Sequence, residues 1–273
     1  MNQTAKNIGA MLEQVRANVP LIHNITNYVT VNDVANAVLA IGASPIMADD
    51  IGESGDISAI SSALVINMGT LNERTIASMI AAGKRANECD VPVVFDPVGA
   101  GASALRNDTA LKIVSEVKLA VLRGNLSEVS FIAGLDAATK GVDSAAADEK
   151  NDAVAVAKSV ADSLGCTVAI TGAIDTISDG KQTVQIRNGH PQLSKVTGTG
   201  CMTSALVGSF AGAANGDFFT AAAGGVLSMG LAGEIAYEKA GSIGTGSFHI
   251  AIIDALSNLD AKTIQERAKL DEK

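Results

Sequence analysis

The chain reads as an α/β protein with a central, mainly parallel sheet flanked by helices and a helical C-terminal third. Three observations predict this. Short apolar runs alternate with helical patterns from residue 19 to residue 173, the rhythm of strand–helix–strand units. Several runs are apolar throughout, as in strands covered on both faces. After Val196 the strand pattern stops and small apolar residues take over. No linker, repeat or low-complexity tract interrupts the chain, so residues 1–273 are expected to form one domain.

The elements follow in order. MNQTAKNIGAMLEQVR is amphipathic, with charges at Lys6, Glu13 and Arg16, and lacks the unbroken apolar core of a secretion signal. VPLIHNIT (19–26), ASPIMAD (43–49), ALVINMG (63–69), VPVVFDP (91–97), LAVLRGN (119–125) and CTVAITGA (166–173) read as buried strands. Between them, Val31–Ile41, Asn72–Glu88, Ala104–Glu116 and Asp148–Leu164 have helical spacing. TISDGKQTVQIRNG (176–189) reads as a hairpin turning at Asp179-Gly180. Met202–Gly216 carries no charge and reads as a buried helix. Phe218–Gly233 is also uncharged but short for a membrane span, and is expected to be a second buried helix.

Composition narrows the function. Apolar residues make up 47% of the chain, enough for a large core, but aromatics are only 3%, so the core is built from small aliphatic residues. The formal net charge is −9 and no Lys/Arg cluster is dense enough to neutralise a run of phosphates; nucleic acid is therefore a poor candidate partner, and none is expected. Cys89, Cys166 and Cys201 show no C-x-x-C spacing, hence neither a zinc site nor a disulfide framework. A cytoplasmic location is expected.

Polar residues cluster where the predicted strands end. Asn27 follows the first strand, Met47 and Asp49 end the second, and Gly69-Thr70 the third. Asp96-Pro97 ends the fourth, Arg123-Gly124-Asn125 the fifth and Thr171-Gly172 the sixth. In open parallel sheets ligands gather at this carboxyl edge. G-x-x-x-x-G-K-[ST] is absent, and no G-x-G-x-x-G follows the first strand. The glycine turn comes late, at Gly198-Thr199-Gly200-Cys201, directly before the uncharged helix. Free amides and the positive dipole end make that turn a candidate anion hole. Phosphoryl transfer would need such a cradle, a metal and a group orienting the acceptor hydroxyl. Asp96 and Glu128 are candidate magnesium ligands, direct or through water, and Arg123 a candidate phosphate partner. Structural readings stand beside these: Asp96 as a turn residue, Glu128 as a helix-start charge, Arg123 as an ion-pair partner, Thr171 as a strand end and Met47 as core. His23, His190 and His249 have no metal-like spacing.

NLSE at Asn125–Glu128 matches the N-x-x-E magnesium motif of the ribokinase-like superfamily, and the glycine turn matches too. HNITNYVT, GASPIMA, NMGTL, FDPVGAGAS, RGNLSE, AITG and VTGTGCM, in this order, together resemble the hydroxyethylthiazole kinase family of thiamin salvage. The resemblance implies ATP- and magnesium-dependent phosphorylation of the primary alcohol of 4-methyl-5-(2-hydroxyethyl)thiazole. It implies thiazole contacts from Met47 and Gly198 with Asn27, Gly69 and Thr70 nearby. ATP contacts would come from Arg123, Thr171 and Asn125, and metal contacts from Asp96 and Glu128. It also implies a homotrimer with active sites between subunits. Most superfamily members have Asp where this chain has Cys201; the thiol is expected to orient the hydroxyl and act as a modest base, its pKa lowered toward partial thiolate by the helix start.

Overall fold

The computed structural model describes residues 2–135 and 152–273. The chain starts with α1 (Gln3–Asn18), capped by the Asn2 side chain accepting from the Ala5 amide. Its Ala5, Ile8, Leu12 and Val15 share one buried face, the three-to-four-residue spacing of an amphipathic helix. Then come β1 (Leu21–Ile25), α2 (Val31–Ile41), β2 (Ser44–Ile46), α3 (Ser54–Ile60), β3 (Ala63–Asn67) and α4 (Glu73–Glu88). They are followed by β4 (Val93–Asp96), α5 (Ala104–Glu116), β5 (Val121–Asn125), α6 (Leu126–Ile132), α7 (Ala153–Leu164) and β6 (Thr167–Thr171). Gly42, at φ 105°, ends α2 in the left-handed conformation that glycine adopts without strain. Of the helix expected over Asp148–Leu164, residues 148–151 lie outside the described residues.

The remaining elements are β7 (Asp175–Ser178), β8 (Thr183–Ile186), a 3-10 turn (Pro191–Lys195), α8 (Thr199–Ala211), α9 (Phe218–Ala240), α10 (Thr245–Asn258), α11 (Ala261–Arg267) and β9 (Leu270–Glu272). The described strands form one sheet ordered β2-β1-β3-β4-β5-β6-β7-β8-β9. β1 to β6 pair in parallel and β6 to β9 antiparallel. The hairpin turns where expected, with Asp179 Oδ1 accepting from the amides of Lys181 and Gln182. The expectation that strands stop after Val196 is overturned by β9, which pairs with β8. Its sequence, LDE, is polar because it lies at the sheet edge; it leaves no apolar run to see.

Alternation along each strand feeds two cores. Val65, Val94, Val121 and Ala169 point into the core under α1, α2, α8, α9 and α10. Leu64, Ile66, Val93, Phe95, Leu122 and Val168 point into the other, under α4, α5 and α7. The small residues of α8 and α9 have a direct use. A side chain at Gly225 would strike the Val207 backbone, and one at Gly208 would strike the Val65 side chain. Glycine therefore sets how closely α9 lies on α8 and α8 on the sheet. α9 is long and apolar enough to cross a membrane, but 83% of its most apolar window is buried inside the fold, the character of a core helix.

Candidate active site

The carboxyl ends of β1, β3, β4, β5 and β6 meet the start of α8. Parallel register places Asn67 beside Asp96, and Asn125 beside Thr171. α8 begins at Thr199, three residues earlier than the uncharged run suggested, so the glycine turn is the helix start itself. Gly198 is the N-cap at φ 85°, with no side-chain cap. The first helical bond runs from the Met202 amide to the Gly198 carbonyl at 2.8 Å. The amides of Thr199, Gly200 and Cys201 thus have no intrahelical acceptor and offer donors at the positive end of the helix.

Asp96 lies against this start and is 1% exposed. Its Oδ2 accepts from Ser204 Oγ at 2.7 Å, Asn67 Nδ2 at 2.8 Å and Arg123 Nη1 at 3.4 Å. Burial nonetheless raises its pKa above the usual carboxylate range, more than the Arg123 charge and the donors lower it. Arg123 also donates from Nη2 to Thr171 Oγ1 at 2.6 Å. Its Nη1 stands 3.1 Å from where a Gly200 side chain would begin, so a guanidinium flanks the free amides. Two atoms of this wall are buried without a hydrogen-bond partner among the described residues: Asp96 Oδ1, an acceptor, and Arg123 Nε, a donor.

Glu128 realises its structural reading. Its Oε2 accepts from the Asn125 amide at 2.8 Å while Asn125 Oδ1 accepts from the Glu128 amide at 2.9 Å, a capping box opening α6. Oε1 takes the Gly99 amide at 2.7 Å. Burial first and Asp96 second push its pKa up to about 6. This donor set suits magnesium, which binds through one or two carboxylates and keeps several waters. The bare Asp96 Oδ1 offers a direct ligand, and both Glu128 oxygens keep a lone pair for a bridging water. Among the described residues no cluster of three or more ligating side chains exists.

Beside this wall lies a second group. Asn27 Nδ2 donates to Asn67 Oδ1 at 3.0 Å and to Cys201 Sγ at 3.3 Å, and Thr30 Oγ1 donates to Asn27 Oδ1 at 3.2 Å. Gly69 donates its amide to Asn67 Oδ1 and has no room for a side chain, which would begin 2.5 Å from Asn27 Nδ2. The expected shift of Cys201 toward thiolate is not met: burial first, then the Asp96 charge, raise the thiol's pKa. Met47 is half-buried against the α8–α9 core, and Thr70 half-buried in the loop after β3. No hydrogen bond among the described residues ties either to the array. The loop carrying Met47 is fixed by His23, whose Nε2 donates to the Ala48 carbonyl while Nδ1 accepts from Ser58, both at 2.8 Å. Burial lowers the His23 pKa, consistent with this neutral tautomer.

Several participants escape sequence reasoning. Ser204 and Thr30 reach the site only through folding. Asn67 sits inside the NMGTL block and is visible there only as a strand end. Arg106 donates to the carbonyls of Met68, Val98 and Gly69 at 2.5 to 2.7 Å, holding the β3 and β4 loops together. Asp175 accepts from the Gly172 amide next to Thr171, its pKa pushed by burial up to about 7.

The fold defines a class first. A ribokinase-like superfamily protein from Enterococcus faecalis superimposes with a TM-score of 0.63, covering 93% of this chain and 95% of that one, at 12% identity; that likeness shows the ribokinase-like fold alone. A narrower match lies within that class. The hydroxyethylthiazole kinase of Ruminiclostridium cellulolyticum is 63% identical over 273 residues, all of both chains. The hydroxyethylthiazole kinase structure from Pyrococcus horikoshii OT3 has a TM-score of 0.88 at 39% identity, covering 97% and 98% of the two chains. The family's sequence model matches residues 12–262. The chain belongs to the hydroxyethylthiazole kinase family.

Proposed function

We propose that this chain transfers the γ-phosphoryl group of ATP to the primary alcohol of 4-methyl-5-(2-hydroxyethyl)thiazole in thiamin salvage. The observation that carries the reading is the meeting of an uncapped helix start, the Arg123 guanidinium and a buried carboxylate with a bare oxygen. The alcohol oxygen forms the new bond to the γ-phosphorus, the bond from that phosphorus to the β–γ bridging oxygen breaks, and ADP leaves with the bridging oxygen. The amides of Thr199, Gly200 and Cys201 donate to the migrating phosphoryl oxygens, and Arg123, held by Thr171, balances nucleotide charge. Asn125, at the end of β5, is a further ATP contact. Asp96 would hold magnesium directly and Glu128 through water; bound there, the ion neutralises phosphate charge.

Met47, Gly198, Asn27, Gly69 and Thr70 form the thiazole side. Cys201, as a neutral thiol, orients the hydroxyl. In a loose transition state the hydroxyl proton leaves late, here to a phosphoryl oxygen.

The same reading includes one domain over residues 1–273, a cytoplasmic location, and no nucleic-acid or membrane partner. It also includes a homotrimer with sites completed between subunits. Support for the trimer comes from Tyr28 and Val29, next to Asn27, which are 79% and 55% exposed. Ile250, on the neighbouring α10, is 64% exposed; apolar surface of this kind marks association. Incubation with ATP, magnesium and the thiazole alcohol should yield ADP and thiazole phosphate one for one. ADP without thiazole phosphate would point to a different acceptor and overturn the substrate assignment. Light scattering should give three times the 27.6 kDa chain mass.

A further inference from the structure

Asn67 is 1% exposed at the end of β3, opposite Asp96 in the parallel register. Its amide is used at both ends. Nδ2 donates to Asp96 Oδ2 at 2.8 Å, and Oδ1 accepts from Asn27 Nδ2 and the Gly69 amide, each at 3.0 Å. The orientation is dictated by the partners: an ionised carboxylate only accepts, and two N–H groups only donate. Asn27 continues the chain of bonds to Cys201. One buried side chain therefore joins the carboxylate on the phosphate side to the thiol and amide on the acceptor side. No other side chain of this size offers a donor at one fork and an acceptor at the other. An ionised aspartate lacks the donor; leucine lacks both.

We propose that Asn67 is a positioning residue of the transfer reaction, holding Asp96 and Asn27 at a fixed separation so that phosphoryl group and alcohol meet in line. This inference rests on the transfer reaction proposed above. A merely structural polar contact would act on stability alone; a positioning role acts on turnover and on the thiol that the same bonds reach.

Asn67→Asp separates the two. It keeps the volume and an acceptor for Asn27 and Gly69, but replaces the fixed N–H donor with a second carboxyl that must share one proton with Asp96. We expect kcat to fall about 100-fold, the scale of a small misplacement of reacting groups, while the thiazole KM stays within about threefold because the Asn27 side is retained. A second readout needs neither nucleotide nor metal. Iodoacetamide labelling of Cys201, followed by peptide mass, should slow in Asn67→Asp, since the thiol loses the Asn67 hydrogen bond that favours its thiolate and the charge shared with Asp96 spreads toward it. A kcat within twofold of the parent chain, or a lower melting temperature with kcat and labelling both unchanged, would overturn the proposal. If Asn67→Asp does not fold, Asn67→Ser, which shortens the link without adding charge, must show the same loss of kcat with folding confirmed by circular dichroism. The parent chain is assayed alongside. Should it transfer no phosphate, the functional reading fails on its own, while the labelling rates still report whether Asn67 controls the array.

Discussion

Glu128→Gln tests the electrostatics of the site without any substrate. In the folded chain Glu128 holds its proton up to about pH 6, against an ordinary value of 4.5, because its carboxyl is buried and faces Asp96. As pH rises from 4.5 to about 6, the unfolded chain releases this proton and the folded chain keeps it. The unfolded state then binds fewer protons, so stability falls across that window. The contribution is full below 4.5 and gone above about 6. That interval, at about 1.36 kcal/mol per decade, is about 2 kcal/mol. Glutamine never titrates. It accepts from only one of the Gly99 and Asn125 amides and turns its own N–H toward the other, a pH-independent loss of about 1–3 kcal/mol. Urea unfolding of both proteins in magnesium-free buffer measures the difference. Between about pH 4 and about pH 7 the variant should gain about 2 kcal/mol relative to the parent. Parallel stability curves would refute the reasoning, and a variant losing ground as pH rises would show that the two amide donors outweigh burial.

Three further substitutions probe the wall itself. Cys201→Ala should lower kcat by less than about tenfold, the part of an orienting group rather than a base; a larger loss with a basic pH limb would restore the thiolate role. Gly198→Ala forces a side chain to φ 85° and to within 2.6 Å of the Thr30 methyl, so it should cost about 1–3 kcal/mol in urea unfolding and raise the thiazole KM. Arg123→Lys cannot span Asp96 and Thr171 with one planar fork, and should raise the ATP KM about tenfold or more in initial-rate assays while sparing the thiazole KM.

Much of the fold is legible because strands covered on both faces are written as apolar runs, and ALVIN or VVFD is hard to read otherwise. The carboxyl edge is legible for the same reason: once strand ends are known, Asp96, Arg123 and Thr171 fall on one line. Pairing across distance is not written that way. Ser204 reaches Asp96 from 108 residues away, and nothing local to either residue announces it. The glycine turn is legible as lying before a helix, but not as the first turn of α8 itself, because Thr199 and Gly200 have poor helix propensity; Gly198, at positive φ, serves as the cap. The direction of the thiol's pKa shift is not legible for a related reason. The helix start is visible in sequence, whereas the buried carboxylate beside it belongs to β4 and acts through space.

That carboxylate also gives a physical reason for a thiol at position 201. Burial lifts the pKa values of both Asp96 and Glu128, and the Asp96 charge adds to the rise at Glu128. A third carboxylate at the first turn of α8 would stand among them with Arg123 as the one cation paired with Asp96 among the described residues, and like charges in a buried site cannot all ionise. A neutral thiol adds no charge, so the amides of Thr199 and Gly200 and the Arg123 guanidinium are not drawn into offsetting one. Under the proposed transfer they would remain available to the phosphoryl oxygens, whose charge is what a loose transition state most needs stabilised. What the thiol gives up in basicity costs little, because that transition state asks for late proton removal. Under the proposed transfer, orientation is then the larger requirement, and Cys201, bonded to Asn27, is the group that would meet it.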